Sequence, residues 1–137
     1  MKILILYGPN MNLLGLRSSK NGKQLTLDKV NRALRKEVRN SDNELKILQT
    51  NSETKAVIFL QRERNSADGI IFIPEVWHKC GSIIKDTLEL IDIPVVIASL
   101  SERDDSIFND YPLVVSGNPV EACVSGLKKM LQILSKD

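Results

Sequence analysis

A loop rich in amide and basic side chains follows the first apolar run of the sequence. Residues 3–7 form that run, and the loop after it carries Asn10, Asn12 and Arg17. In open α/β sheets, ligands bind in the crevice outside the carboxyl ends of the strands. Amides and a guanidinium at such an end can hold a small anionic molecule. Loop asparagines also satisfy backbone groups through Asx turns, and this alternative stays open for both of them.

Polar residues also follow the second, third and fourth apolar runs. The predicted loops there carry Asn51 and Glu53, then His78 and Lys79, then Ser99, Ser101 and Glu102. Parallel strands bring such loops to one edge of a sheet, where a small-molecule site is expected. His78, the only histidine, is a candidate proton donor, and Lys79 can bind a carboxylate as a point charge. A packed imidazole and a solvated lysine are the alternatives.

The spacing of apolar residues predicts the elements that position these loops. Five short runs have lengths typical of strands, and the first, third and fourth are nearly continuous, as in strands buried on both faces. They cover residues 3–7, 45–48, 70–73, 95–98 and 113–115. Helical periodicity lies between them, with Thr26 and Asn118 as predicted N-caps.

This alternation of strands and helices predicts the fold class. We expect an α/β flavodoxin-like three-layer sandwich, with a five-stranded parallel sheet in the order 2-1-3-4-5. The length of 137 residues fits a single domain over residues 1–137. A helix is predicted over residues 53–64. A later helix is predicted to have a buried face made of Ile83, Ile84, Thr87 and Leu88.

Composition and charge argue against two classes of partner. The net charge is +2, from 19 basic and 17 acidic residues that are interspersed, and aromatic residues make up 4% of the chain. No nucleic acid is expected as a partner, because binding one requires a basic face or stacking aromatics. No apolar run approaches the roughly 20 residues that span a bilayer, so no membrane partner is expected either.

Metal ions and cofactors are not expected. The chain has one histidine and two cysteines and no CxxC spacing, which does not suit a zinc site. It also lacks the G-x-G-x-x-G pattern of dinucleotide-binding loops. Cys80 and Cys123 lie far apart and are expected to be reduced thiols in a cytoplasmic protein.

Several segments together resemble the type II 3-dehydroquinate dehydratases. The run Gly8-Pro9-Asn10-Met11-Asn12-Leu13-Leu14-Gly15-Leu16-Arg17 is similar to the opening of that family. The likeness continues in residues 49–53 (QTNSE), 67–71 (ADGII), 85–88 (KDTL), 93–96 (IPVV) and 100–101 (LS). The combined pattern is specific for the family's fold.

The resemblance implies a lyase that dehydrates a small cyclic hydroxylated carboxylate through an enolate, without a cofactor. It implies that Asn10 stabilises the enolate and that Arg17 is the arginine of a mobile lid. The backbone amides of Leu100 and Ser101 would hold the carboxylate, and Asp86 would approach the site of a neighbouring subunit. A homo-oligomer, a trimer or a dodecamer, is therefore expected. The predicted substrate-binding set is completed by Asn12, Asn51, His78, Lys79 and Ser99.

The sequence departs from the family pattern at the residues that move protons. The lid tyrosine has no counterpart in residues 18–24, and Ile97-Ala98-Ser99 stands where the resemblance implies E-x-H. Ile73-Pro74-Glu75 stands in place of N-P-G, and Lys79 in place of a histidine. Three hypotheses follow. The chain is a diverged lyase with altered chemistry, a catalytically inactive binding or structural homologue, or a 3-dehydroquinate dehydratase of the shikimate pathway with a rebuilt site.

Overall fold

Five parallel strands form one sheet at the centre of the molecule. The computed structural model describes residues 1–19 and 25–136. The strands are β1 (Lys2–Tyr7), β2 (Glu44–Gln49), β3 (Gly69–Ile73), β4 (Val95–Ser99) and β5 (Leu113–Val115). They pair in the order β2-β1-β3-β4-β5, with every pairing parallel. The predicted α/β fold class and strand order are confirmed.

Within the described residues, six helices accompany the strands, and the last of them follows β5. They are α1 (Leu14–Ser19), α2 (Leu27–Glu37), α3 (Glu53–Glu63), α4 (Trp77–Cys80), α5 (Ser82–Ile91) and α6 (Pro119–Leu134). A short 3-10 turn, Met11–Leu13, precedes α1. The side chain of Thr26 accepts the backbone N–H of Lys29, and Asn118 accepts those of Val120 and Glu121. Both predicted N-caps are therefore confirmed. Pro119 begins α6, where the N–H that proline lacks would have no partner within the helix.

The core lies in two layers, one on each side of the sheet. Successive side chains of a strand point to opposite faces, so β1 contributes Ile3, Ile5 and Tyr7 to one layer, and Leu4 and Leu6 to the other. The first layer packs against α2 and α6, and the second packs against α3 and α5. This burial on both faces explains why β1 and β3 are continuous apolar runs.

Helix α5 corrects one detail of the predicted packing. Ile84, Thr87 and Leu88 are buried as predicted, but Ile83 is 60% exposed. Ile91 takes its place, because spacing of three, four and seven residues brings side chains to the same face. Among the described residues, no helix is long and apolar enough to cross a membrane.

The carboxyl ends of β1 and β3 approach each other too closely for a side chain at Gly8. The Gly8 N–H donates to the carbonyl oxygen of Ile73 over 2.8 Å. A Cβ atom built on Gly8 would lie 2.3 Å from the backbone oxygen of Pro74. Only glycine fits this contact without a shift of the backbone, and the contact fixes the start of both following loops.

We expect Gly8→Ala to lower the free energy of unfolding by about 3 kcal/mol or more, because the clash falls on backbone atoms. Urea denaturation followed by circular dichroism measures this change. Gly117→Ala is the matched control, since a Cβ there meets no atom within 4 Å. It should change the free energy of unfolding by no more than about 0.5 kcal/mol. Equal stability of the two variants would contradict the close approach at Gly8.

Candidate functional site

A cavity of about 380 Å³ opens at the carboxyl end of β4. This volume is within the range of about 300–1,000 Å³ that is usual for small-molecule sites. Four residues of the predicted site line it: His78, Ser99, Leu100 and Ser101. The other lining residues are Leu14, Leu25, Glu75, Arg103, Gly117 and Pro119. The cavity therefore joins a polar wall, built from the loops after β3 and β4, to an apolar wall.

His78 is held at this cavity by the loop that follows β4. The side chain is 2% exposed, and its Nδ1 lies 2.6 Å from the hydroxyl oxygen of Ser106. That oxygen also accepts the backbone N–H of Phe108 over 3.1 Å, so its own proton can be donated to Nδ1. This arrangement favours the tautomer that carries its proton on Nε2.

The electrostatic environment keeps His78 uncharged at neutral pH. Burial lowers the pKa of the imidazole to about 4, and the positive charge of Arg103 acts in the same direction. The carboxylate of Asp105 opposes both effects only in part. A neutral imidazole can donate or accept a hydrogen bond, but it does not supply a proton as an imidazolium does.

Ser99 clamps the turn that the resemblance implies as a carboxylate cradle. Its hydroxyl donates to the carbonyl oxygen of Ser101 over 2.6 Å. The hydroxyl oxygen of Ser99 also accepts the Ser101 N–H over 3.4 Å, which is a long hydrogen bond. Ser99 is buried at 3% exposure, so this clamp lies inside the wall of the cavity. The amide of Ser101 is therefore held towards Ser99.

Glu75 brings a carboxylate to the cavity from a strained backbone position. Its φ of 54° lies in the left-handed region, which non-glycine residues seldom adopt. It is the third residue of Ile73-Pro74-Glu75, and its carbonyl oxygen accepts the His78 N–H over 3.1 Å. Such strain persists where the surrounding structure imposes it, often at functional sites.

Asn10 and Asn51 form a separate cluster at the end of β1. The Asn10 N–H donates to Oδ1 of Asn51 over 3.0 Å, and Gln49 Nε2 donates to the same oxygen over 3.2 Å. Asn10 has a φ of 68°. Asn51 thus holds the backbone of this loop, in line with the structural alternative for loop asparagines. Asn12 lies exposed in the 3-10 turn, and neither it nor Asn10 lines the cavity.

The remaining predicted residues lie elsewhere. Lys79 forms an exposed salt bridge with Asp105, with 3.3 Å between Nζ and Oδ2. Asp86 is exposed on α5. Arg17 belongs to α1, and its role in a lid stays a prediction. The segment Lys20-Asn21-Gly22-Lys23, whose composition predicts a flexible turn, lies outside the described residues.

Two charged residues of the cavity were missed by sequence reasoning. Arg103 lies two residues beyond Ser101, in a loop whose predicted polar residues are Ser99, Ser101 and Glu102. Glu75 stands where the resemblance implies a glycine. This replacement of a glycine in a turn was the feature of the sequence that could have predicted a functional role for Glu75. Among the described residues, no group of three or more potential metal ligands exists.

Comparison with known proteins now identifies the family. A family model described as "Dehydroquinase class II" matches residues 1–113. The chain belongs to this family.

Curated members of the class II dehydroquinases support the assignment. The 3-dehydroquinate dehydratase of Geotalea daltonii is 37% identical over 101 residues, which are 74% of this chain and 70% of that protein. The 3-dehydroquinate dehydratase of Roseiflexus castenholzii is 36% identical over 101 residues, which are 74% of this chain. The match spans less than two thirds of the Roseiflexus protein, at 64% of its length.

Solved structures share the fold. The type II dehydroquinase of Butyrivibrio crossotus superposes with a TM-score of 0.82 at 21% identity, over 99% of this chain and 98% of that one. A 3-dehydroquinate dehydratase-like protein from Bifidobacterium longum gives a TM-score of 0.73 at 14% identity, over 99% of both chains. The shared fold thus covers 99% of this chain and includes α6, which lies beyond the residues that the family model matches.

We expect the single histidine to titrate with a midpoint near pH 4, because burial and Arg103 both disfavour its charged form. The unfolded chain, with a histidine pKa of about 6.5, binds this proton more readily. The contribution of His78 to stability is therefore fully present above about pH 6.5, and it is lost as the pH falls towards 4.

Proton NMR of the imidazole Cε1–H measures the midpoint directly, without assignment, in a protein freed of any histidine tag. Urea denaturation at a series of pH values measures the linked stability. His78→Gln should remove the part of the pH dependence between about pH 4 and 6.5. A midpoint close to 6.5 would show that the imidazole is exposed to water and ionises freely.

Proposed function

We propose that this class II dehydroquinase family member binds a small hydroxylated carboxylate in the cavity beside β4. In this proposal it acts as a lyase whose acid–base groups differ from those implied by the resemblance. The observation that carries the proposal is the open cavity lined by Ser99, Leu100, Ser101, His78 and Arg103. A site that had only a structural role would not need polar groups gathered around open space.

Family membership supports the class of ligand. The curated relatives are named 3-dehydroquinate dehydratases, so their substrate is a cyclic hydroxylated carboxylate. Leu14, Leu25, Leu100 and Pro119 give the cavity an apolar wall for a carbon ring. The polar wall opposite can take the carboxylate and hydroxyl groups of the same molecule.

The side chains available for proton transfer support altered chemistry. Ser99 stands where the resemblance implies a histidine, and a hydroxyl does not replace an imidazolium as an acid near neutral pH. His78 is the nearest imidazole, and its low pKa leaves it neutral there. A neutral imidazole suits a hydrogen bond to a substrate oxygen, or proton acceptance from a strongly activated carbon.

A binding protein without catalytic activity is the second candidate. It is favoured by the same replacement at Ser99 together with the absence of tyrosine from residues 18–24. The two candidates share the ligand class and differ only in turnover. In both, a homo-oligomer with Asp86 near a neighbouring subunit is part of the proposal.

We expect the protein to bind 3-dehydroquinate and to dehydrate it at least about 10²- to 10⁴-fold more slowly than the Geotalea daltonii relative, because a positioned acid or base contributes about that factor. The fluorescence of Trp77, the only tryptophan and a neighbour of His78, measures binding. Absorbance of the enone product at high enzyme concentration measures turnover.

Arg17→Ala serves as the control for residual activity. Slow turnover that disappears in Arg17→Ala belongs to this protein rather than to a contaminant. Turnover as fast as that of the relative would show that the family reaction survives on a rebuilt site, against the proposal of altered chemistry. Failure to bind 3-dehydroquinate or related hydroxylated carboxylates would exclude the proposed ligand class.

A further inference from the structure

Among the residues that the structure describes, Arg103 is the one permanent cation that lines the cavity. Arg103 lies in the segment between β4 and β5, two residues after Ser101, and it is half-buried. It is close enough to His78 for its charge to affect that imidazole. The guanidinium therefore belongs to the same wall as His78 and the turn at Ser99–Ser101.

Part of this guanidinium is buried without a partner. Nη1 of Arg103 is inaccessible to solvent and has no hydrogen-bond partner among the described residues. Buried polar groups are nearly always hydrogen-bonded, because an unpaired one loses its interaction with water and gains nothing in return. Nη1 itself is not accessible from the cavity, but the side chain that carries it lines the cavity, and an unsatisfied guanidinium there favours a ligand anion as its partner.

The carboxylates around Arg103 do not supply that partner. Asp105 forms its salt bridge with Lys79, and this hydrogen bond is the main reason why the pKa of Asp105 is lowered, while the charge of Arg103 acts on it more weakly. Glu102 and Asp104 are exposed to solvent. Among residues 1–19 and 25–136, no carboxylate oxygen lies within salt-bridge distance of Arg103.

The backbone amides of Leu100 and Ser101 offer an anion less than the resemblance implies. Ser99 engages both the carbonyl oxygen and, more weakly, the amide N–H of Ser101. This clamp leaves the Ser101 amide less available to an incoming anion. A guanidinium two residues further along offers two parallel N–H donors, a geometry that matches a carboxylate.

We infer that Arg103 is the residue that binds the ligand's carboxylate in the cavity and selects for anions there. The inference rests on the proposed function and deepens it, because it names the charged group that the ligand must carry. The ring of the ligand would lie against Leu14, Leu25 and Pro119, with its hydroxyl groups towards His78. A neutral polyol of the same shape would be rejected, since it cannot neutralise the guanidinium.

Two probes test the charge requirement without knowledge of the natural ligand. Cyclohexanecarboxylate carries the anion on a six-membered ring, and cyclohexanecarboxamide is its neutral counterpart. We expect the carboxylate to bind at least about 10-fold more tightly than the amide to the wild-type protein, because hydrogen bonds to charged groups are the stronger ones. 3-Dehydroquinate is measured beside them.

Arg103→Gln should weaken binding of 3-dehydroquinate and of cyclohexanecarboxylate by about 10- to 100-fold and leave the amide unaffected. Arg39→Gln, which removes an exposed guanidinium from the turn after α2, is the matched control and should bind like the wild type. Thermal denaturation of both variants verifies folding. No loss of folding is expected in Arg103→Gln, since the donor that it removes is unpaired.

The imidazole of His78 gives an independent readout that a structural role of Arg103 would not produce. Neutralisation of Arg103 by a bound carboxylate should raise the NMR midpoint of His78 in the wild type, but cyclohexanecarboxylate should not move it in Arg103→Gln. Equal carboxylate affinities in wild type and Arg103→Gln would overturn the inference. If both simple probes behave as expected but 3-dehydroquinate does not bind, the proposed function fails while the role of Arg103 stands.

Discussion

The close approach of β1 and β3 at Gly8 is the constraint on which the cavity depends. Because the Gly8 N–H donates to the Ile73 carbonyl oxygen and a Cβ at Gly8 would clash with the Pro74 carbonyl, the chain must leave β3 in a fixed direction. That direction places Glu75 in the left-handed region and starts α4 immediately afterwards. His78 is thereby carried to the end of β4. A packing contact with no chemistry of its own thus determines where the imidazole lies.

The segment between β4 and β5 completes the site by binding to α4. Ile107 donates its N–H to the His78 carbonyl over 2.8 Å, and Ser106 bonds to the imidazole itself. Phe108 packs in the apolar layer, with its ring centroid 5.0 Å from that of Phe72. These contacts anchor the far end of the segment, while the clamp between Ser99 and Ser101 anchors its start. Arg103 lies between two fixed points, so its guanidinium can be directed without a protein partner.

The sequence predicted the elements better than it predicted the site, for physical reasons. Strands β1 and β3 are buried on both faces, so their apolar residues are continuous and visible in the sequence, and the caps at Thr26 and Asn118 act over three residues. The pairing of Lys79 with Asp105 joins residues 26 positions apart, and no local pattern encodes it. The direction of Arg103 depends likewise on distant anchors. Ile83 was misplaced because adjacent Ile83 and Ile84 are equally apolar, and only the packing of α5 decides which one is buried.

The proposed function separates two kinds of contribution to the site, one from the backbone and one from single side chains. The turn after β4, the entry to α4 and the N-terminus of α6 follow from strand order and from a few contacts such as the one at Gly8 and the hydroxyl of Ser99. Proton transfer depends on single side chains of suitable pKa, and each can be lost without harm to the fold. In this chain the turn after β4 and the entry to α4 both border the cavity. The imidazole there, His78, is neutral, and the cation there, Arg103, is permanently charged. Under the proposed function, such a cavity is better suited to holding an anion in a fixed orientation than to transferring protons at neutral pH.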